Sequence, residues 1–241
     1  MTRVERLDIA LVARGLAESR EKAKRLILAG AVRVNGQPAG KPSDLVPDDA
    51  PLELQAAEKY VSRGGHKLEA ALNAFQIDCT GKTCMDIGAS TGGFTDCVLQ
   101  RGAACVHAVD VGKGQLAWKL RQDPRVVVHD QVNARNLTGE PVDIVTIDVS
   151  FISLTKVLPA AVKLVRPGGH LIALIKPQFE AGRKFVSKGG VVRDSAVHER
   201  VKTEVVEFAT GTLKLQSLGV CDSPLLGPAG NKEFLAAFVK P

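Results

Sequence analysis

The sequence predicts an α/β protein, a Rossmann-like sheet preceded by a small N-terminal α+β domain. Two observations carry this. From Lys82 onward, short β-branched runs alternate with amphipathic stretches, the pattern of a parallel sheet with helices on both faces. The first sixty residues differ from the rest in both charge and periodicity. The expected domains are therefore residues 1–60 and 61–241, with the boundary near Tyr60.

In the first domain, Leu7, Leu11 and Val12 have helical spacing, and Gly15 stops the helix. Ser19 is placed to cap a second helix with Ala23, Leu26 and Ile27 inward and Gly30 at its end. A strand over Ala31–Val34 leads into Asn35-Gly36, a type I′ hairpin signal. Residues 42–58 carry three prolines and close the domain. In the second domain Gly64-Gly65 reads as a turn before Lys67. Strands are expected over Thr83–Ile87, Ala104–Val109, Val126–His129, Val142–Ile147, Leu171–Ile175, Gln216–Cys221 and Phe234–Val239. Helices are expected over Thr95–Arg101, Gly114–Leu120, Leu154–Val165 and Asp194–Thr210. In the last of these, Val197, Val201, Val205 and Phe208 form an apolar stripe.

Composition narrows the function classes. The five cysteines are odd in number and lack C-x-x-C spacing, so free thiols in a reducing compartment are expected and no metal site is. Met1–Glu5 is charged with no apolar segment after it, and runs such as Leu171–Ile175 are strand-length. A cytoplasmic protein with no membrane role follows. The net charge of +6 is unevenly spread: residues 1–41 hold nine bases and four acids, residues 42–58 five acids and no base. Arg20, Lys22, Lys24 and Arg25 fall on the exposed part of the second helix, with Arg6, Arg33 and Lys41 nearby. Such a cluster gains affinity for a polyanion by releasing its counterions. Arg63 and a second basic loop, Arg183, Lys184 and Lys188, offer further contacts of the same kind.

The segment Asp86-Ile87-Gly88-Ala89-Ser90-Thr91-Gly92-Gly93-Phe94-Thr95 follows the first strand of the large domain. Its glycines allow a sharp turn and close approach to a ligand. It is not the G-x-G-x-x-G of a dinucleotide loop, and it opens on an acid. S-adenosylmethionine has no phosphate and carries a sulfonium and an amino group, so an acid suits it. Gly88, Ser90, Gly92, Gly93 and Phe94 are candidate cofactor contacts beside Asp86. Asp110 ends the next strand, placed for ribose hydroxyls, and Asp130 the third, placed for an adenine amino group. Two lysines and two acids also stand at strand ends or turns: Lys67, Asp148 in Ile147-Asp148-Val149-Ser150-Phe151, Lys176 in Ile175-Lys176-Pro177-Gln178-Phe179-Glu180, and Glu233. A hydroxyl attacking a sulfonium methyl needs a base or strong electrostatic help, and a mixed Lys/acid cluster could supply it.

Two resemblances refine this reading. Arg6-Leu7-Asp8, Gly15-Leu16, Ser19-Arg20, Ala23, Gly30, Val32, Val34-Asn35-Gly36 and Lys41-Pro42-Ser43 resemble the alpha-L RNA-binding motif, which implies binding of structured RNA through shape and phosphates. Lys67, Asp148, Lys176 and Glu233 resemble the K-D-K-E tetrad of FtsJ-type ribose 2′-O-methyltransferases. The runs 61–68, 86–95, 147–154, 175–180, 188–194 and 227–235 resemble the TlyA family of ribosomal RNA methyltransferases, whose members are often called haemolysins. The resemblance implies a class I methyltransferase sheet, S-adenosylmethionine as cofactor, and transfer to a ribose 2′-hydroxyl, at cytidines, in ribosomal RNA. It also implies that Lys176 is the base or orienter of the hydroxyl. Lys67 and Glu233 would tune it, and Asp148 would hold Lys176 and face the methionine end of the cofactor. Few residues precede Arg6, which favours the large ribosomal subunit as partner.

Three rivals remain. A pseudouridine synthase is suggested by Arg6-Leu7-Asp8, but that triplet sits inside the RNA-binding motif. A catalytically inactive RNA-binding assembly factor would keep the fold and lose the chemistry. A pore-forming haemolysin lacks a membrane segment.

Overall fold

The computed structural model describes residues 4–54 and 58–241, in two compact units, Met1–Glu58 and Lys59–Pro241. In the first unit, β1 (Val4–Arg6) runs directly into α1 (Leu7–Ala13), followed by α2 (Arg20–Leu28), β2 (Val32–Val34), β3 (Gln37–Pro38), β4 (Leu45–Pro47) and β5 (Leu52–Leu54). The Ser19 hydroxyl accepts a hydrogen bond from Lys22 N at 3.2 Å, so α2 starts on its predicted cap. Asn35 and Gly36 have φ of 52° and 74°, the two left-handed residues of a type I′ turn joining β2 to β3. Leu7, Leu11, Ala23, Ile27, Val32 and Val46 form the core. The acidic segment expected merely to close the domain contains β4 and β5, which pair with β1 and β2. Three-residue strands are too short to show alternation in sequence.

The second unit is a seven-stranded sheet. Its elements are α3 (Gly64–Ala74), β6 (Thr83–Ile87), α4 (Gly93–Gln100), β7 (Cys105–Val109), α5 (Trp118–Arg121), β8 (Val126–His129), β9 (Val142–Ile147), α6 (Leu158–Ala161), β10 (Val165–Ile175), α7 (Pro177–Glu180), α8 (Ser195–Glu207), β11 (Gln216–Asp222) and β12 (Phe234–Val239). The strand order is β11-β12-β10-β9-β6-β7-β8. Strands β6 to β10 pair in parallel, whereas β12 is antiparallel to both β10 and β11. The sheet is thus mixed, not wholly parallel as the alternation of elements suggested. Side-chain alternation feeds two cores. On β9, Val145 and Ile147 face one layer with Leu158, Val201 and Phe238, and Ile144 faces the other with Leu68, Leu72 and Val98.

The chain leaves β6 toward β7 and β8, then returns to the other side of β6 for β9. That reversal opens a crevice at the carboxyl ends of β6 and β9. The antiparallel sense of β12 brings its beginning to the same edge, since Phe234 pairs with Ile175 at the end of β10.

Three helices differ from expectation. Gly114 has φ of 70°, and only Trp118–Arg121 is α-helical in that stretch. Leu154–Leu164 is a 3₁₀ turn, one α-turn and another 3₁₀ turn, not one helix. Gly64 and Gly65, read as a turn, begin α3. These glycines serve contact, not turning. A Cβ on Gly65 would strike the Tyr60 ring, and one on Gly93 would strike Ser62 Oγ and lie 2.9 Å from Gly65 N and 3.1 Å from Gly64 Cα. The amino ends of α3 and α4 therefore touch backbone to backbone. Gly93→Ala is expected to destabilise the fold by about 1–3 kcal/mol through overpacking, read as a lower urea midpoint at unchanged slope.

Candidate active site

Five strand ends converge on the crevice. A cavity of about 1140 Å³ is lined by Gly88, Ser90, Asp110, Asn133, Asp148 and Gln178, among others. A second of about 660 Å³ includes Arg63, Lys67, Phe94, Lys176 and Glu233 in its wall. The two share Gly88, Ser90, Asp148, Ser150, Phe151 and Gln178. The smaller falls within the usual size range of small-molecule pockets and the larger lies just above it.

Lys67, Asp148, Lys176 and Glu233 all line the smaller cavity, and of the four Asp148 also lines the larger. Lys176 Nζ stands 2.6 Å from Asp148 Oδ1, an ion pair without the alignment of a hydrogen bond, and donates to Ser150 Oγ at 2.9 Å. Lys67, in the first turns of α3, donates to Glu233 Oε2. Lys67 and Glu233 are 6% and 2% exposed, so each is the other's partner in a pair almost removed from water. Glu233 Oε1 is buried without a partner. It is crowded by Gly227, where a Cβ would overlap it.

The glycine loop is shaped by the strand beside it. Gly88 has φ of 86°, and a Cβ there would overlap the Asp148 carbonyl. Ser90, itself left-handed at φ 49°, donates its N–H to Asp110 Oδ2 at 2.8 Å. Gly112 N donates to Asp110 Oδ1 at 2.7 Å, so the half-buried Asp110 is held at the cavity wall. Gly93 and Phe94 line the smaller cavity.

Three candidates sit elsewhere. Asp86 is 1% exposed and lines neither cavity. It accepts from Thr95 N at 2.9 Å, Thr95 Oγ1 at 2.7 Å and Thr146 Oγ1 at 3.1 Å, tying β6 to α4 and β9. The expectation of an acid facing the ligand is corrected here. A strand-end acid can point inward when hydroxyls wait for it. Burial pushes its carboxyl up to about 7 against the pull of those donors. Asp130 lies outside the cavity lining, with both oxygens on Arg121 and one also accepting from Gly114 N. Gly92 faces Leu116 and Leu120.

The basic candidates divide similarly. Lys22, Arg25 and Lys41 are exposed. Arg6 and Arg20 both bind the buried Asp8, at 3.0 Å each, and hold its carboxyl down to about 2. Lys24 pairs with Glu21 at 2.8 Å, and Arg33 donates to the Gly36 carbonyl. Arg63 is exposed on the smaller cavity, Arg183 lines the larger one, and Lys184 and Lys188 are exposed.

Sequence reasoning missed several residues. Arg135 and Lys156 join Arg183 in the larger cavity's wall. Asn231, 1% exposed, accepts from Val192 N and donates to the Gly190 carbonyl, both at 2.9 Å, fastening the glycine turn before Glu233 to the 190–192 segment. Phe151 has φ of 63°, is 90% exposed and packs on Phe179 at 5.0 Å between ring centroids. Phe151 and Asn231 lie in runs that carry the family resemblance, 147–154 and 227–235, whereas Arg135 and Lys156 had no sequence signal. Among the described residues, no cluster of three or more His, Cys, Asp or Glu could hold a metal, and no helix is long and apolar enough to cross a membrane.

A strand-end lysine paired with an acid, beside a glycine loop on this sheet, defines a methyltransferase. The FtsJ-like methyltransferase model matches residues 60–240, and an S4 domain model matches residues 5–50. The chain belongs to the FtsJ-like methyltransferase family. It is 50% identical to the 16S/23S rRNA (cytidine-2′-O)-methyltransferase TlyA of Mycobacterium tuberculosis, over 97% of this chain and 89% of that one. It is 33% identical to the 23S rRNA (cytidine-2′-O)-methyltransferase TlyA of Campylobacter jejuni, over 95% and 97%. The solved structure of a hemolysin-named protein of Streptococcus thermophilus superposes with a TM-score of 0.74 at 46% identity, covering 100% of this chain and 90% of that one.

The buried Asp86 has a pH signature. Its carboxyl titrates near 7 in the fold, against about 4 in an unfolded chain. The folded state thus holds its proton more tightly, and stability falls as pH rises from about 4 to 7. Asp86→Asn is expected to flatten that decline, measured as the melting temperature at pH 5 and pH 8.

Proposed function

We propose that this protein transfers the methyl group of S-adenosylmethionine to the 2′-hydroxyl of a cytidine in ribosomal RNA, in the cytoplasm. The observation that carries the reading is Lys176 in the smaller cavity, held by Asp148 and Ser150, which line both cavities. The larger cavity fits the cofactor chemically: its strand-end acids, Asp110 and Asp148, suit a ligand that carries hydroxyls, an ammonium and a sulfonium. Each Asp110 oxygen keeps a second lone pair for a ribose hydroxyl. Gly88 and Ser90 bring backbone against the ligand, and Asp148 faces its amino end. S-adenosylmethionine, when bound, supplies an electrophilic methyl group.

The chain's own residues prepare the hydroxyl. Lys176 hydrogen-bonds the 2′-oxygen and stabilises the negative charge that develops on it as its proton passes to water at the open mouth of the cavity. Asp148 fixes the direction of the Lys176 ammonium. Lys67 and Glu233 position the ribose from the opposite wall. Phe151, exposed at the mouth, offers a face on which the target base can stack. Arg63, Arg135, Lys156 and Arg183 ring the opening with positive charge for the neighbouring phosphates. The S4 domain, with Lys22, Arg25 and Lys41 exposed, binds structured RNA through its phosphates. Both named relatives act on 23S rRNA, so the large subunit is the favoured partner.

Transfer of labelled methyl to subunits lacking the modification tests the reading. Wild type is expected to label large-subunit RNA at an alkali-resistant ribose, and Lys176→Ala to lose about 10²–10⁴-fold in rate while still binding cofactor. Cofactor binding without transfer to either subunit would favour an inactive assembly factor. A chain beginning at Lys59 is expected to keep cofactor affinity and lose RNA affinity. Binding by the full chain should weaken steeply with salt. Filter binding across a salt series measures both.

A further inference from the structure

Among the described residues, three buried side-chain oxygens have no hydrogen-bond partner: Asp148 Oδ1, Gln178 Oε1 and Glu233 Oε1. All three belong to residues lining the cavities. Two are carboxylate oxygens whose residues are ion-paired to Lys176 and Lys67. Gln178 is neutral and has no such account. Its neighbours are engaged. Lys176 holds Asp148 and Ser150, and Phe179 packs on Phe151. Glu180 accepts from Ser153 Oγ at 2.6 Å and Leu154 N at 2.8 Å. Gln178 alone in this run lines both cavities with an idle polar group. Leaving a buried amide oxygen unpaired costs about 1–3 kcal/mol, a cost that a donor from the substrate would remove.

We propose that Gln178 is a specificity-determining residue whose side-chain oxygen accepts a hydrogen bond from the exocyclic amino group of the target base. The inference rests on the reading of this site as a cytidine ribose methyltransferase. Of the groups a substrate complex brings, the ribose hydroxyl is served by Lys176, and a cationic amino end by Asp148. The base is left. A base resting on the exposed Phe151 ring would lie near the Phe179 ring packed against it, and Gln178 immediately precedes Phe179 and lines both cavities with Phe151. Cytosine presents an amino donor there, whereas uracil presents a carbonyl, which would set acceptor against acceptor. A site built to bond an amino group rejects the analogue that lacks it, because the buried acceptor stays unpaired.

The test uses the full-length protein on ribosomal RNA carrying cytidine or uridine at the mapped methylation position, with kcat/KM measured for each. Wild type is expected to prefer cytidine by about tenfold or more. Gln178→Leu is expected to lose about tenfold on cytidine and to bring the two substrates within about twofold. Gln178→Glu retains an acceptor and is expected to keep the cytidine preference, whatever its overall rate. Affinity for S-adenosylmethionine, measured by calorimetry, should be the same in all three. A wild-type ratio near one, equal losses on both RNAs in Gln178→Leu, or a shifted cofactor affinity would overturn base reading by Gln178 and leave the proposed reaction standing. Absence of transfer by wild type to either RNA would overturn the reaction itself, and this inference with it.

Discussion

The site depends on the direction of one strand. Asp148 and Lys176 end neighbouring parallel strands, β9 and β10, and so share an edge of the sheet. A further parallel strand would present its carboxyl end there and its beginning at the far edge. Because β12 is antiparallel, Glu233 stands at the edge where Lys176 stands. Helix α3 completes the set by laying Lys67 across that edge. Four residues spread over 167 positions are thus gathered by one reversal and one helix.

The gathered charges make each other possible. Lys67 and Glu233 are almost wholly removed from water, and either alone would be a buried unpaired ion. Lys176 and Asp148 are more open, and Asp148 stands at the boundary of the two cavities. One pair is therefore fixed within the wall while the other is the more accessible. The fit of α3 against α4, through Gly65 and Gly93, sets how deep Lys67 sits. Bare backbone at these positions is what allows the helix to approach.

The acids at the strand ends show how the same residue type divides its work. Asp110 and Asp148 face the ligand cavity. Asp86 turns inward to Thr95 and Thr146, and Asp130 turns to Arg121. All four follow or end an apolar run, and nothing in that local pattern separates them. The direction of each is set by a hydroxyl or guanidinium from a distant part of the chain. The N-terminal arginines are similar: Arg6 and Arg20 read as free cations until Asp8 is seen between them.

The sequence by itself determined the class of fold, most strands of the large sheet, and the capped helix and hairpin of the small domain. These are local matters of side-chain period, capping and turn chemistry, or motifs whose residues lie close to their signals. Tertiary structure alone decided that Gly64-Gly65 begins a helix, that β12 runs backwards, that Asp86 supports the fold, and that Phe151 and Gln178 stand at the site. Each of these depends on what lies across a contact from the residue. A glycine chosen for close approach and one chosen for a turn are written with the same letter, and only the neighbour brought by folding tells them apart.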